Sequence, residues 1–154
     1  MQKTVDKKLF SEACYEMIGK LQGQNGIGTL REKTIHSVLK YYYAPDSSYH
    51  EIKIGPYVAD ICVDGEIFEV QTRNFNTMRN KLQYFLQEHD VTIIYPVAHH
   101  KWISWLDMET GELSPKRKSP KTGTQYQIIP ELYKIKMFIH NPRLHFIISL
   151  IDVE

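Results

Sequence analysis

Asp64-Gly65 stands between YVADICV and EIFEVQT, two runs in which apolar, largely β-branched residues alternate with polar ones. An Asp-Gly pair flanked in this way predicts a two-residue type I′ hairpin, because both central residues of that turn need positive φ. The turn then sets the register. Val63 faces Glu66, Cys62 faces Ile67 and Asp60 faces Glu69. Two carboxylates are thereby expected opposite each other on one sheet face, their Cβ atoms about 5 Å apart, with Gln71 further along that face. Gly-Pro is not a favoured hairpin turn, but a two-residue turn at Gly55-Pro56 would extend the pattern. Glu51 then falls opposite Asp60, and Lys53 falls opposite Val58, which opposes Gln71. Glu51, Asp60 and Glu69 form a row across three strands.

The elements around this hairpin follow from periodicity. Leu9, Phe10, Ala13, Met17, Ile18 and Leu21 make the apolar stripe of a helix over Lys8–Leu21, stopped by GQNGIG. Thr29 caps a second helix through a T-L-R-E capping box, with Leu30, Ile35, Val38 and Leu39 on its apolar face. HEIKI, YVADICV and EIFEVQT then read as three strands. Met78, Leu82, Phe85 and Leu86 predict a helix over Asn76–His89, and VTIIYPV a strand buried on both faces. Beyond it KWISWLD reads as a strand, Gly111–Gln125 as a flexible linker, IPELYKIKMFI as a helix opening on Pro130, and RLHFIISLIDV as a last strand. His99 and His100, adjacent on a strand, are expected to point to opposite faces.

A chain of 154 residues fits one domain, burying roughly two thirds of its unfolded surface. Forty-two per cent hydrophobic and 24% charged residues exclude wholesale disorder. No run approaches the roughly 18 uncharged residues of a membrane span, so a soluble, cytoplasmic protein is expected. Cys14 and Cys62 match no paired metal-ligand spacing and read as reduced packing residues. A net charge of +1 gives no global footprint for nucleic acid. Its distribution does: SPKRKSPK, residues 114–121, places four cations together without an acid. Read alone, such a run is a solvated loop.

Opposed carboxylates on a sheet repel, and desolvation raises the cost. Protonation of one partner, a nearby Lys or Arg, or a divalent cation could compensate. The cation satisfies several oxygens at once, and Mg²⁺ takes one or two carboxylates plus waters and phosphate oxygens. That chemistry points to phosphodiester cleavage.

The pattern Val58-Ala59-Asp60, eight residues, then Glu69-Val70-Gln71, on the second and third strands of a helix, three-strand, helix, strand run, resembles the PD-(D/E)XK nuclease superfamily of restriction endonucleases and Holliday junction resolvases. The resemblance spans about residues 5–97. It implies an α/β (α+β) fold with a restriction endonuclease-like three-layer core, a mixed central sheet in αβββαβ order over residues 1–100, and a C-terminal β/α extension over 101–154 packed on the same domain. It also implies a metal-dependent endonuclease acting on DNA. Asp60 and Glu69 would hold Mg²⁺ or Mn²⁺, joined by Glu51 and by an acid of the first helix, Glu16 in preference to Glu12. Gln71 stands where the family has its Lys. Its amide can orient a water but carries no charge, so Lys53 or Arg73 would supply the missing cation. Arg73, Arg79, Lys81, Lys116, Arg117 and Lys118 are the expected phosphate contacts. Double-strand cutters of the superfamily commonly work as dimers, which makes a homodimer the implied assembly. The absent Lys and near-zero charge favour the alternative, an inactive relative that keeps the fold as a module binding nucleic acid or protein.

Overall fold

The computed structural model describes residues 5–21 and 30–154. Helix α1, Lys7–Leu21, opens on a cap that periodicity did not show: Asp6 Oδ1 accepts the amides of Lys8 and Leu9, both at 3.0 Å. Helix α2 is Leu30–Tyr43, and the expected Thr29 cap lies outside the described residues. Three strands follow, β1 His50–Ile54, β2 Tyr57–Val63 and β3 Glu66–Val70, forming an antiparallel meander.

Helix α3 is shorter than its periodicity implies. A 3₁₀ turn over Phe75–Met78 leads into the α-helix Arg79–Phe85. Asn74 enters with left-handed φ of 59°, and Glu131 Oε2 accepts the Phe75 amide at 2.9 Å, so a distant carboxylate caps this segment. The apolar stripe itself behaves as expected: Met78, Leu82, Phe85 and Leu86 are all buried.

Strand β4 runs without a break from Val91 to Ile103, merging the two strands expected as VTIIYPV and KWISWLD. A register irregularity between Ala98 and Lys101 lets it continue through His99 and His100. The same irregularity overturns the expected opposite orientation of the two histidines, whose ring centroids are 4.0 Å apart. The span expected as a flexible linker contains β5, Arg117–Lys118, which pairs antiparallel with Trp102 and Ile103. Helix α4, Ile129–Lys134, has Pro130 in its first turn but stops before a 3₁₀ turn at Lys136–Phe138. Ile135 lies between them at φ −120°, fully buried, where leaving the helix sends its side chain into the core. Strand β6, Leu144–Val153, is parallel to β4 from Val91↔Leu144 to Lys101↔Val153.

The fold is therefore α+β, with four α-helices and one mixed six-stranded sheet among the described residues. Strand β4 lies centrally, parallel to both β3 and β6. Its alternation feeds two cores. Val91, Ile93, Tyr95 and Val97 pack with α3 residues, while Ile94 joins Leu39 of α2, Val70 and Ile151 on the other face. A strand buried on both faces explains why VTIIYPV is almost continuously apolar. Both cysteines are free thiols and half-buried.

Candidate functional site

Asp64 and Gly65 have φ of 51° and 83°, the pair of left-handed residues that a type I′ turn demands. The register agrees with the count from the turn: Val63↔Glu66, Cys62↔Ile67 and Ile61↔Phe68. At the next position the regular ladder gives way to side chains. The Val70 amide donates to Asp60 Oδ2 at 2.9 Å, and the Asp60 amide donates to Glu69 Oε1 at 3.3 Å. The two carboxylates thus bridge a fork between β2 and β3. Ala59 and Cys62, three residues apart, both pack toward the α3 side, so simple side-chain alternation along β2 is interrupted between them.

From this fork each carboxylate meets a different helix. His36 of α2 places Nε2 3.0 Å from Asp60 Oδ2, and Lys81 of α3 places Nζ 2.7 Å from Glu69 Oε2. Glu69 is 3% exposed. Burial, then the neighbouring Asp60 charge, push its carboxyl up to about 7 against the pull of Lys81 and the Asp60 amide. For Asp60, burial acts upward too. The His36 bond and charge, the Val70 amide and Lys81 outweigh it, so Asp60 lies below the usual carboxylate range. The buried pair is therefore split, with Asp60 holding the charge and Glu69 holding a proton near neutrality.

The remaining members of the expected row lie elsewhere. The Gly55-Pro56 turn does have two residues, with Lys53↔Val58 and Ile54↔Tyr57 as counted. Glu51, however, takes a left-handed φ of 53°, and its exposed carboxylate pairs with Lys40, one turn beyond His36 on α2. Lys53 is exposed on β1. Glu16 is exposed on α1 and lines a polar cavity of about 450 Å³ with Lys40, Ser37 and His50, whose lining includes neither Asp60 nor Glu69. Gln71 extends the β3–β4 ladder through its amide to Ile94 O at 3.0 Å, and its Nε2 donates to the Arg73 carbonyl at 2.6 Å. Among the described residues no three His, Cys, Asp or Glu side chains are grouped to hold a metal. Asp60 and Glu69 stand as a pair.

The expected phosphate contacts divide similarly. Arg73 and Arg79 are exposed, and Arg79 Nε donates to the Lys134 carbonyl at 2.7 Å. Lys81 belongs to the carboxylate pair itself. Lys116, Arg117 and Lys118 lie at the far end of β4, where Lys116 pairs with Glu154 and Lys118 Nζ is 5.7 Å from the Trp102 ring centroid. His36 escaped the sequence reading. The signal available for it was a pair of polar residues one turn apart, His36 and Lys40, bordering the apolar positions Ile35, Val38 and Leu39.

One similar protein is an uncharacterized protein of Treponema pallidum (strain Nichols), 34% identical over 129 residues, a match covering 83% of this chain and 51% of the relative. The chain spans about half the length of that relative. No solved structure matches the chain. The matched family takes in residues 33–154, from just before His36 to the end of the chain and including Asp60, Glu69 and Lys81. By that match the chain belongs to the family described as a domain of unknown function, DUF8091.

Proposed function

We propose that the chain is a metal-dependent endonuclease hydrolysing DNA phosphodiester bonds, with Asp60 and Glu69 as its carboxylate pair. The observation that carries this reading is the fork. Two carboxylates are held against each other at low exposure, where a purely structural site would gain from apolar replacements. A meander of three antiparallel strands followed by a parallel fourth, preceded and interrupted by helices, supports the resemblance to the PD-(D/E)XK superfamily.

The donor set suits Mg²⁺ or Mn²⁺, which need only one or two carboxylates and complete their shell with waters and phosphate oxygens. Such an ion would supply Lewis acidity toward the phosphate and lower the pKa of a bound water. The protein's own groups have separate tasks. Asp60 and Glu69 would hold the ion. His36 fixes the Asp60 carboxylate through its 3.0 Å contact. Lys81, on α3, supplies near Glu69 the positive charge that Gln71 cannot, in place of Lys53 or Arg73. Arg73 and Arg79, both exposed, would serve as contacts for the backbone of the nucleic acid.

The test is to titrate Mg²⁺ and Mn²⁺ into wild type and Asp60→Asn while recording melting temperature, then to incubate both with supercoiled plasmid. Metal-dependent stabilisation and nicking, both lost in the variant, are expected. Absence of both in wild type would overturn the enzyme reading. A second reading, an inactive binding module, is favoured by the Gln71 amide being bound to the Arg73 carbonyl and by Lys81 already occupying Glu69 Oε2 at 2.7 Å. It predicts salt-dependent DNA binding without any metal effect.

A further inference from the structure

Between Ala98 and Lys101 strand β4 sets two residues, His99 and His100, against one of β6, Asp152, since Ala98 pairs with Ile151 and Lys101 with Val153. That is the count of a β-bulge, uncommon in a parallel pair, which re-aims side chains that regular pleating would send to opposite faces. Its effect is visible in the half-buried imidazole rings, whose centroids are 4.0 Å apart.

Each ring is oriented through the same nitrogen. His99 Nδ1 lies 2.9 Å from the Gly123 carbonyl oxygen, and His100 Nδ1 lies 3.0 Å from Asp152 Oδ1. A carbonyl and an ionised carboxylate only accept, so in both rings Nδ1 carries the hydrogen and the neutral imidazole has its lone pair on Nε2. The holders are themselves fixed. The Gly123 amide donates back to His99 O at 2.9 Å, and a Cβ on Gly123 would stand 2.2 Å from the Ala98 carbonyl oxygen, so this approach needs glycine. Asp152 Oδ1 also accepts the His100 amide at 3.1 Å. Among the described residues neither Nε2 has a hydrogen-bond partner, and neither is sealed from solvent.

Histidines that hold a metal are arranged in this way, one ring nitrogen on the ion and the other donating to a carbonyl or carboxylate. We infer that His99 and His100 form a site for a late first-row divalent ion such as Ni²⁺ or Zn²⁺, bound through the two Nε2 atoms with water completing its shell. Imidazole nitrogen selects those ions over Mg²⁺ and Ca²⁺, which take oxygen. Gly123 and Asp152 stand behind the ligands, so the ion is held by two protein groups and stays exchangeable. Asp60 and Glu69 contribute no atom to it.

Ni²⁺ titrated into the chain carrying Trp105→Phe tests this by fluorescence, because Trp102, its ring centroid 5.9 Å from that of His100, is then the sole tryptophan. Saturable quenching by one ion per chain is expected, tighter for Ni²⁺ than for Co²⁺, with no response to Mg²⁺. His99→Asn and His100→Asn each keep an N–H donor where Nδ1 stands and remove Nε2, so both should abolish saturation with circular dichroism unchanged. Asp152→Ala, at a side chain 57% exposed, should weaken binding roughly tenfold by releasing the His100 ring. Asp60→Asn should leave the quenching as in the parent. A parent that shows no saturable quenching by about 1 mM Ni²⁺ overturns the inference. Quenching that both histidine variants retain, or an affinity that Asp152→Ala leaves unmoved, does so equally.

Discussion

Lys81 Nζ lies 2.7 Å from Glu69 Oε2 across the junction of α3 and β3, the Glu69 side chain 5% exposed and the Lys81 side chain 21%. Lys81 pairs with Glu69 from the side of the sheet opposite His36. Lys81→Met should therefore leave Glu69 without its strongest charged support. Since the pair is partly solvated, a loss of about 2 kcal/mol is expected in urea unfolding at pH 8, with a smaller loss at pH 5, where Glu69 is protonated. In the plasmid assay the same variant should lose most nicking, and Lys81→Arg should recover part of it.

Glu69 has a definite pH signature. Its folded pKa, about 7, is above its unfolded value, so the folded state binds the extra proton. Stability contributed by that proton is present at low pH and lost as pH rises from the unfolded pKa toward about 7. Glu69→Gln, neutral throughout, should be more stable than wild type at pH 8 by on the order of 3 kcal/mol without metal, and nearly equal to it at pH 4.5. Thermal melts across that range check the sign. A variant equally stabilised at both ends would place the cause outside ionisation.

Asp60 behaves in the opposite sense. Its folded pKa lies below the ordinary range, so its contribution is present above the unfolded pKa and disappears as pH falls through the folded one. His36 supplies the largest of the influences that lower it. His36→Ala should cost about 1–2 kcal/mol at pH 7 and shift acid unfolding to higher pH, measured by far-ultraviolet circular dichroism.

Gly55 illustrates a constraint of shape. Its φ is 59°, and a Cβ there would run into the Tyr84 hydroxyl and ring of α3. Gly55→Ala combines left-handed strain with that collision, and should destabilise by about 2–4 kcal/mol. Tyr84→Ala in the same chain should recover the collision but not the strain, a partial rescue readable in chemical denaturation.

Glu131 reaches from α4 to the Phe75 amide at 2.9 Å and also bonds Lys134. Glu131→Ala should cost about 1–2 kcal/mol, as the loss of a helix cap does. Because this cap fixes the start of the segment carrying Lys81, metal-induced stabilisation should also diminish, while Glu131→Gln retains much of it.

Local and periodic features follow from the residues alone. Asp64-Gly65 permitted one turn and one register, and from that register the approach of Asp60 to Glu69 followed by counting. The Met78, Leu82, Phe85 and Leu86 stripe set the buried face of α3, and the apolar run of β4 required cover on both sides. Tertiary structure decided what periodicity cannot encode. Glu51 counts opposite Asp60, yet its left-handed backbone hands it to Lys40. Histidines 99 and 100 meet because the β4–β6 register shifts beside them. His36 and Lys81, 24 and 12 residues from their carboxylates, became partners only when two helices packed on opposite faces of one sheet. A register is set by bonds between near neighbours. The charges that stabilise a buried pair depend on where distant elements dock, which no short window of sequence contains.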